Sequence, residues 1–266
     1  MSERISLSKI EVNGSEMEYV RFGEGSENLI IIPGLSIKSV LTAAGAIAYA
    51  YSIFAKDYTV YLFDRRKDVY PGITLNVFAD DIVCACKKLG IEKTVLFGVS
   101  MGGMISQIIA INEPTLVSKL VLASTASRAG DSATNVIGKW MLLAAAGDKT
   151  GLGKDFVDKL YSEEYASKFG GMVVQVSAAC TDEEMERFFI LAGSCAGFDV
   201  YDKLDRIQCP VFVMGAVHDK VVGSQASFDI AQKINCDIFM YGGKYGHAVY
   251  DEAPDFKEKI LEFLKK

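Results

Sequence analysis

Ser100 lies in the stretch Gly98-Val99-Ser100-Met101-Gly102, with Gly103 directly after it. A serine hydroxyl attacks a carbonyl carbon once a neighbouring base takes its proton. The spacing suits a turn so tight that its central residue takes strained backbone angles. Glycines two positions to either side let the flanking backbone approach without a Cβ clash. Apolar Val95-Leu96-Phe97 precedes the turn and helix-forming Met104 to Ile111 follows it. A strand passing into a helix there lifts the hydroxyl above a sheet edge, beside the positive helix end and its free N–H groups, where an oxyanion is stabilised. The bland alternative is a Gly-rich turn that only packs closely.

The base must come from few candidates, since the chain holds two histidines, His218 and His247. His247, in Tyr245-Gly246-His247, follows the last apolar strand pattern and precedes the last helical one, which puts it in a loop at the same sheet edge as Ser100. Asp219 follows another strand pattern through Gly215-Ala216-Val217-His218 and is the expected carboxylate to orient the imidazole. His218 is the weaker base, because a base next to its own orienting acid has poor geometry. Asp199 and Asp202 precede that strand and are expected to cap or flank a helix.

The elements that must carry these residues alternate along the chain. Ile5 to Val12 and Met17 to Phe22 read as a hairpin around Asn13-Gly14. Leu29 to Ile32, Tyr58 to Phe63, Thr94 to Phe97, Leu120 to Ala123, Val211 to Met214 and Ile238 to Met240 read as further, mostly buried strands. Helices are expected after Pro33-Gly34 to about Ala55, over Leu75 to Leu89 with Gly90 as C-terminal cap, over Met101 to Ile111, over Ser224 to Ile234, and over Ala253 to Leu264 with Pro254 in its first turn. This is an α/β pattern, a mostly parallel sheet between helices. From about Ser124 to Gly197 the rhythm breaks into helices alone. The expected division is a core of residues 1–124 and 197–266 and a helical cap of residues 125–196 over the carboxyl edge of the sheet.

Composition narrows the setting. The chain has 266 residues, half of them hydrophobic, and a formal charge of −6. Its basic clusters, Arg65-Arg66-Lys67 and Lys265-Lys266, form no phosphate track, so nucleic acid is not an expected partner. The charge-free stretches from Ser39 to Ala55 and from Thr94 to Asn112 are short or broken by glycine, and read as core elements rather than membrane spans. The start of the chain shows no apolar signal region. The six cysteines, 84, 86, 180, 195, 209 and 236, form no zinc spacing and read as free thiols in a reducing, cytoplasmic compartment. No metal and no cofactor is expected.

In ordered combination, Pro33-Gly34, the turn at Ser100, the late Asp219 and Gly246-His247 ahead of Glu252-Ala253-Pro254 resemble the α/β-hydrolase superfamily, especially its smaller capped esterase-like members. The resemblance implies an eight-stranded sheet and a Ser100–His247–Asp219 triad, with the backbone N–H groups of Leu35 and Met101 as oxyanion hole. Two departures stand out: Ile32-Pro33-Gly34-Leu35 lacks the His-Gly of many relatives, and Asp64-Arg65-Arg66-Lys67 lacks a glycine often found after that position. Relatives that form alkyl esters carry Asp at the turn, so serine points to attack on a carbonyl. The expected substrate is a small molecule such as a carboxylic ester, with lactones, thioesters and C–C bonds of vinylogous diketones as variants. Trp140 and Met141 of the insertion are candidate pocket residues. The competing reading is a small-molecule receptor with slow turnover.

Overall fold

The computed structural model describes residues 5–266. Eight strands form one sheet: β1 (Ser6–Val12), β2 (Ser15–Phe22), β3 (Glu27–Ile32), β4 (Tyr58–Phe63), β5 (Thr94–Val99), β6 (Val117–Ala123), β7 (Val211–Ala216) and β8 (Asp237–Tyr241). Their order across the sheet is β1-β2-β4-β3-β5-β6-β7-β8. β2 runs antiparallel to β1 and β4, and the pairings from β4 through β8 are parallel. The α/β expectation and the count of eight strands both hold.

The central strands are buried on both faces, and alternate residues feed two cores. Ile30, Ile32, Leu96, Leu120 and Leu122 face one core, which holds α2 (Leu75–Leu89), α3 (Met101–Asn112) and α8 (Ser224–Ile234). Leu29, Ile31, Val95, Phe97 and Val121 face the other, which holds α1 (Ala44–Ala50), α9 (Val249–Glu252) and α10 (Phe256–Leu264). In α2, Leu75, Phe78, Ala79, Ile82 and Cys86 are buried at helical spacing, and Gly90 closes the helix in the left-handed region at φ 69°.

Between β6 and β7 come four helices: α4 (Asp131–Ala145), α5 (Lys149–Leu160), α6 (Glu163–Ala178) and α7 (Asp182–Gly193). Each junction is cut by a side-chain cap or a glycine. Asp148 accepts from the Gly151 N–H, Ser162 from that of Tyr165, and Thr181 forms a reciprocal capping box with Glu184.

Two helical expectations are corrected. The stretch up to Ala55 is not one helix but two 3-10 turns flanking the seven-residue α1, in which only Ala48 is buried. A segment so rich in Ala and Gly buries too little side chain to hold a longer helix. The last helix starts at Phe256 rather than Ala253. Ala253 is extended at ψ 122°, since a residue before proline is pushed out of the helical region, and Pro254 lies in a turn between α9 and α10. All six cysteines are free thiols, with 86, 180 and 195 buried. Among the described residues, no helix is long and apolar enough to cross a membrane.

Candidate active site

Ser100 is positioned by the junction of β5 and α3. Its backbone sits at φ 51°, ψ −119°, a strained conformation for a residue with a side chain. The turn survives because its neighbours hold it: the Ser100 N–H donates to the Ala123 carbonyl at 2.8 Å, and the Thr125 hydroxyl donates to the Ser100 carbonyl at 2.7 Å. A Cβ at Gly102 would lie 2.0 Å from the Ile32 carbonyl oxygen, and one at Gly98 would lie 2.3 Å from the Ser106 Oγ. The glycine spacing thus answers to close backbone contact between α3 and the end of β3.

His247 follows β8 through the turn Gly242 to Gly246, and is 1% exposed. Asp219 follows β7 and is 8% exposed. The imidazole bridges them. Nδ1 lies 2.8 Å from Asp219 Oδ2 and 3.0 Å from Oδ1, and Nε2 lies 3.0 Å from Ser100 Oγ. With the proton on Nδ1, the ring donates to the carboxylate and accepts from the hydroxyl. Burial pushes the Asp219 carboxyl up, but the charge and hydrogen bond of His247 and the N–H groups of Val221 and Val222 outweigh it and hold it below the usual range. Three residues far apart in sequence therefore meet in one hydrogen-bonded line.

The remaining carboxylate and imidazole candidates separate as expected. His218 is exposed. Asp199 accepts from the Tyr201 N–H at 3.0 Å, at the start of the 3-10 turn Tyr201–Arg206, and Asp202 lies exposed within that turn.

Met101 opens α3, so its N–H is one of the first-turn groups that have no partner within the helix. Leu35 lies on the facing loop, and a Cβ at the adjoining Gly34 would stand 3.2 Å from the Ser100 Cβ. Arg65 fixes that loop: its guanidinium donates to the Pro33 carbonyl at 2.5 Å, while Arg187 of α7 donates to the Arg65 carbonyl at 3.2 Å. The sequence shows a missing glycine and a basic cluster that reads as a solvated turn, but Arg65 and Arg66 are both buried. The available signal was a basic residue two positions past the strand Tyr58–Phe63, which is buried throughout, and burial pulls the Arg65 guanidinium down to about 10.

A cavity of about 420 Å³ opens beside Gly34, Leu35 and Val99, and runs under the insertion to Phe156, Tyr161 and Val173. Trp140 and Met141 are not among the residues lining it. Trp140 is buried in the insertion's own core, donating from Nε1 to Asp155 at 2.9 Å and packing 4.2 Å from the Phe156 ring. Met141 reaches toward Gly193, with its Cε 3.4 Å from where a Cβ there would be. Trp140 packs against α5 and Met141 reaches α7, so these two side chains are taken up within the insertion rather than at the cavity. No group of three or more His, Cys, Asp or Glu side chains among the described residues is arranged to hold a metal ion.

The fold and site define a hydrolase class, and the comparisons agree. Residues 29–254 match the alpha/beta hydrolase fold family, and the chain belongs to it. A RutD protein of Rhizobium rhizogenes, named for carbamate hydrolysis, is 23% identical over 220 residues, covering 79% of this chain and 84% of the relative. The 3-oxoadipate enol-lactonase 2 of Acinetobacter baylyi is 22% identical over 213 residues, covering 77% and 76%. Among solved structures, the alpha/beta hydrolase MGS-M2 from a Medee basin deep-sea metagenome superposes with a TM-score of 0.87 at 18% identity, covering 97% of this chain and 98% of that one. Identities this low establish the shared fold.

Proposed function

We propose that the protein is a serine hydrolase that cleaves a carboxylic ester or a related small carbonyl substrate through an acyl-enzyme on Ser100. The observation that carries this reading is the continuous line from the Asp219 carboxylate through the His247 imidazole to the Ser100 hydroxyl. His247 Nε2 takes the hydroxyl proton as Oγ bonds to the carbonyl carbon. The carbonyl oxygen gains negative charge and is held by the N–H groups of Met101 and Leu35. Collapse breaks the bond to the leaving alkoxide, which receives the proton from the imidazolium. Water then attacks the acyl carbon, gives its proton to His247, and the acid leaves as Oγ is reprotonated.

In this reading α4 to α7, within residues 125–196, form the cap over a core of residues 1–124 and 197–266. The curated relatives named for carbamate and enol-lactone hydrolysis act on bonds within the same carbonyl chemistry, which favours a small substrate.

The test is steady-state hydrolysis of p-nitrophenyl acetate and butyrate. Ser100→Ala and His247→Ala are each expected to lower kcat/KM by a factor on the order of a thousand or more. Sustained turnover that survives either substitution overturns the assignment. Labelling of Ser100 that stops after one equivalent, without turnover, supports a receptor instead.

A further inference from the structure

Asp251 stands one helical turn beyond His247, on α9, and lines the same cavity that reaches Gly34 and Val99 beside Ser100. Asp251 is an exposed residue on the wall of that cavity. It accepts no hydrogen bond from the described residues, and its nearest influences are the charges of Lys257 and Glu252. Its neighbour Glu252 is fully used, accepting from the Ser162 N–H at 3.0 Å and from the Ser162 hydroxyl.

The other charge on the cavity wall is already matched, since the Lys38 ammonium lies 3.4 Å from Glu184. Lys257 of α10 donates to the Tyr250 carbonyl at 2.8 Å and sits 5.3 Å from the Tyr51 ring, outside the cavity lining. Tyr51, Tyr161 and Tyr250 line the space around Asp251, and burial pushes all three phenols up, so they stay neutral. Tyr165, whose phenol also feels Asp251, stacks on Tyr161 with ring centroids 4.7 Å apart. The result is an apolar cavity wall with one unmatched carboxylate among aromatic rings. A carboxylate beside π faces is an environment that favours ammonium ions over neutral groups of the same shape.

We propose that the cavity selects carbonyl substrates bearing an ammonium group, held by the Asp251 carboxylate against the Tyr161 and Tyr250 rings. The proposal rests on Ser100 as nucleophile and names the substrate class for that site. Asp251 acts as a specificity determinant and takes no part in bond making. Burial raises its carboxyl to about 6, so the charged form that binds an ammonium prevails above that pH and is lost below it.

The test compares p-nitrophenyl ω-(trimethylammonio)butanoate with its neutral isostere, in which a tert-butyl group replaces the trimethylammonium. The wild-type protein is expected to favour the cationic ester by about tenfold in kcat/KM, and Asp251→Asn to bring that ratio close to one. The wild-type preference should also fade as pH falls through about 6. A ratio near one in the wild-type protein, or a ratio that Asp251→Asn leaves unaltered, overturns the proposal. Calorimetric binding of phenyltrimethylammonium to wild-type, Ser100→Ala and Asp251→Asn proteins separates the two readings. Binding that is lost only in Asp251→Asn upholds the cation site even if Ser100-dependent turnover fails. Binding that is equal in all three removes the cation site and leaves the serine reading standing.

Discussion

Burial pushes the carboxyls of both Asp219 and Asp251 up, yet their net shifts run in opposite directions. Asp219 gains more from His247 and two backbone N–H groups than it loses by desolvation, so its folded pKa lies below its unfolded value. Such a group contributes stability above the ordinary carboxylate range, and that contribution is lost as pH falls through the lowered folded value. Asp251 has no compensating hydrogen bond, and its pKa is raised to about 6. Between about 4 and 6 the folded state therefore binds a proton that the unfolded state has released, and stability declines as pH rises. Asp251→Asn is accordingly expected to raise Tm at about pH 8, with the gain vanishing below about pH 4. Asp219→Asn is expected to lower kcat by on the order of a hundredfold or more, because the amide no longer favours the tautomer with its proton on Nδ1. Thermal melts across pH check the first, and ester hydrolysis the second. A Tm gain for Asp251→Asn that persists at pH 3 contradicts the assignment of its cost to ionisation.

At the level of elements, the strand-to-helix turn and the facing loop are built as a pair. Gly102 lets α3 approach β3, and Arg65, at the end of β4, ties down the Pro33 carbonyl just before Leu35. Arg65→Ala frees that loop and, in the buried setting, leaves the Pro33 carbonyl without its donor. The expected result is a fall in kcat of about tenfold with a smaller change in KM, because a displaced oxyanion donor matters most in the transition state. A KM change with kcat intact would show that Arg65 shapes the pocket instead. The turn at Ser100 was legible in the sequence because glycine is the residue that fits such contacts, and Gly90 as helix end because glycine adopts the left-handed backbone there without strain. The starts of α1 and α10 were not: both depend on how much surface each segment buries, and on the restriction Pro254 places on Ala253.

Across the whole molecule, the insertion is joined to the sheet at a few polar points close to the site. Glu252 of α9 holds the corner between α5 and α6 through Ser162, and the Ala248 N–H, next to His247, donates to the Leu160 carbonyl at 2.8 Å. Arg187 of α7 donates to the carbonyls of Lys67 and Arg65. The corner between α5 and α6 is thus tied by hydrogen bonds to α9 and to the loop that carries His247. Glu252→Ala is expected to leave the sheet intact and to loosen that corner. Limited trypsin digestion should then cut severalfold faster at Lys159 or Lys168, since cleavage follows the population of the locally open state. Unaltered digestion would mean that the remaining contacts hold the corner without Glu252.

The amino-acid order by itself determined the mostly parallel α/β architecture, the strained turn at Ser100, and the choice of His247 and Asp219 as an acid–base pair from two histidines and three candidate aspartates. The first two rest on local sterics or periodicity that a short segment carries within itself, and the third on the scarcity of histidine and the place of each residue after a late strand. Only the tertiary structure decided that Trp140 and Met141 pack inside the insertion, that Arg65 anchors the loop before Leu35, and that Asp251 opens into the cavity. Those outcomes depend on which surfaces distant segments present to one another, and burial and pairing of that kind are properties of the assembled fold.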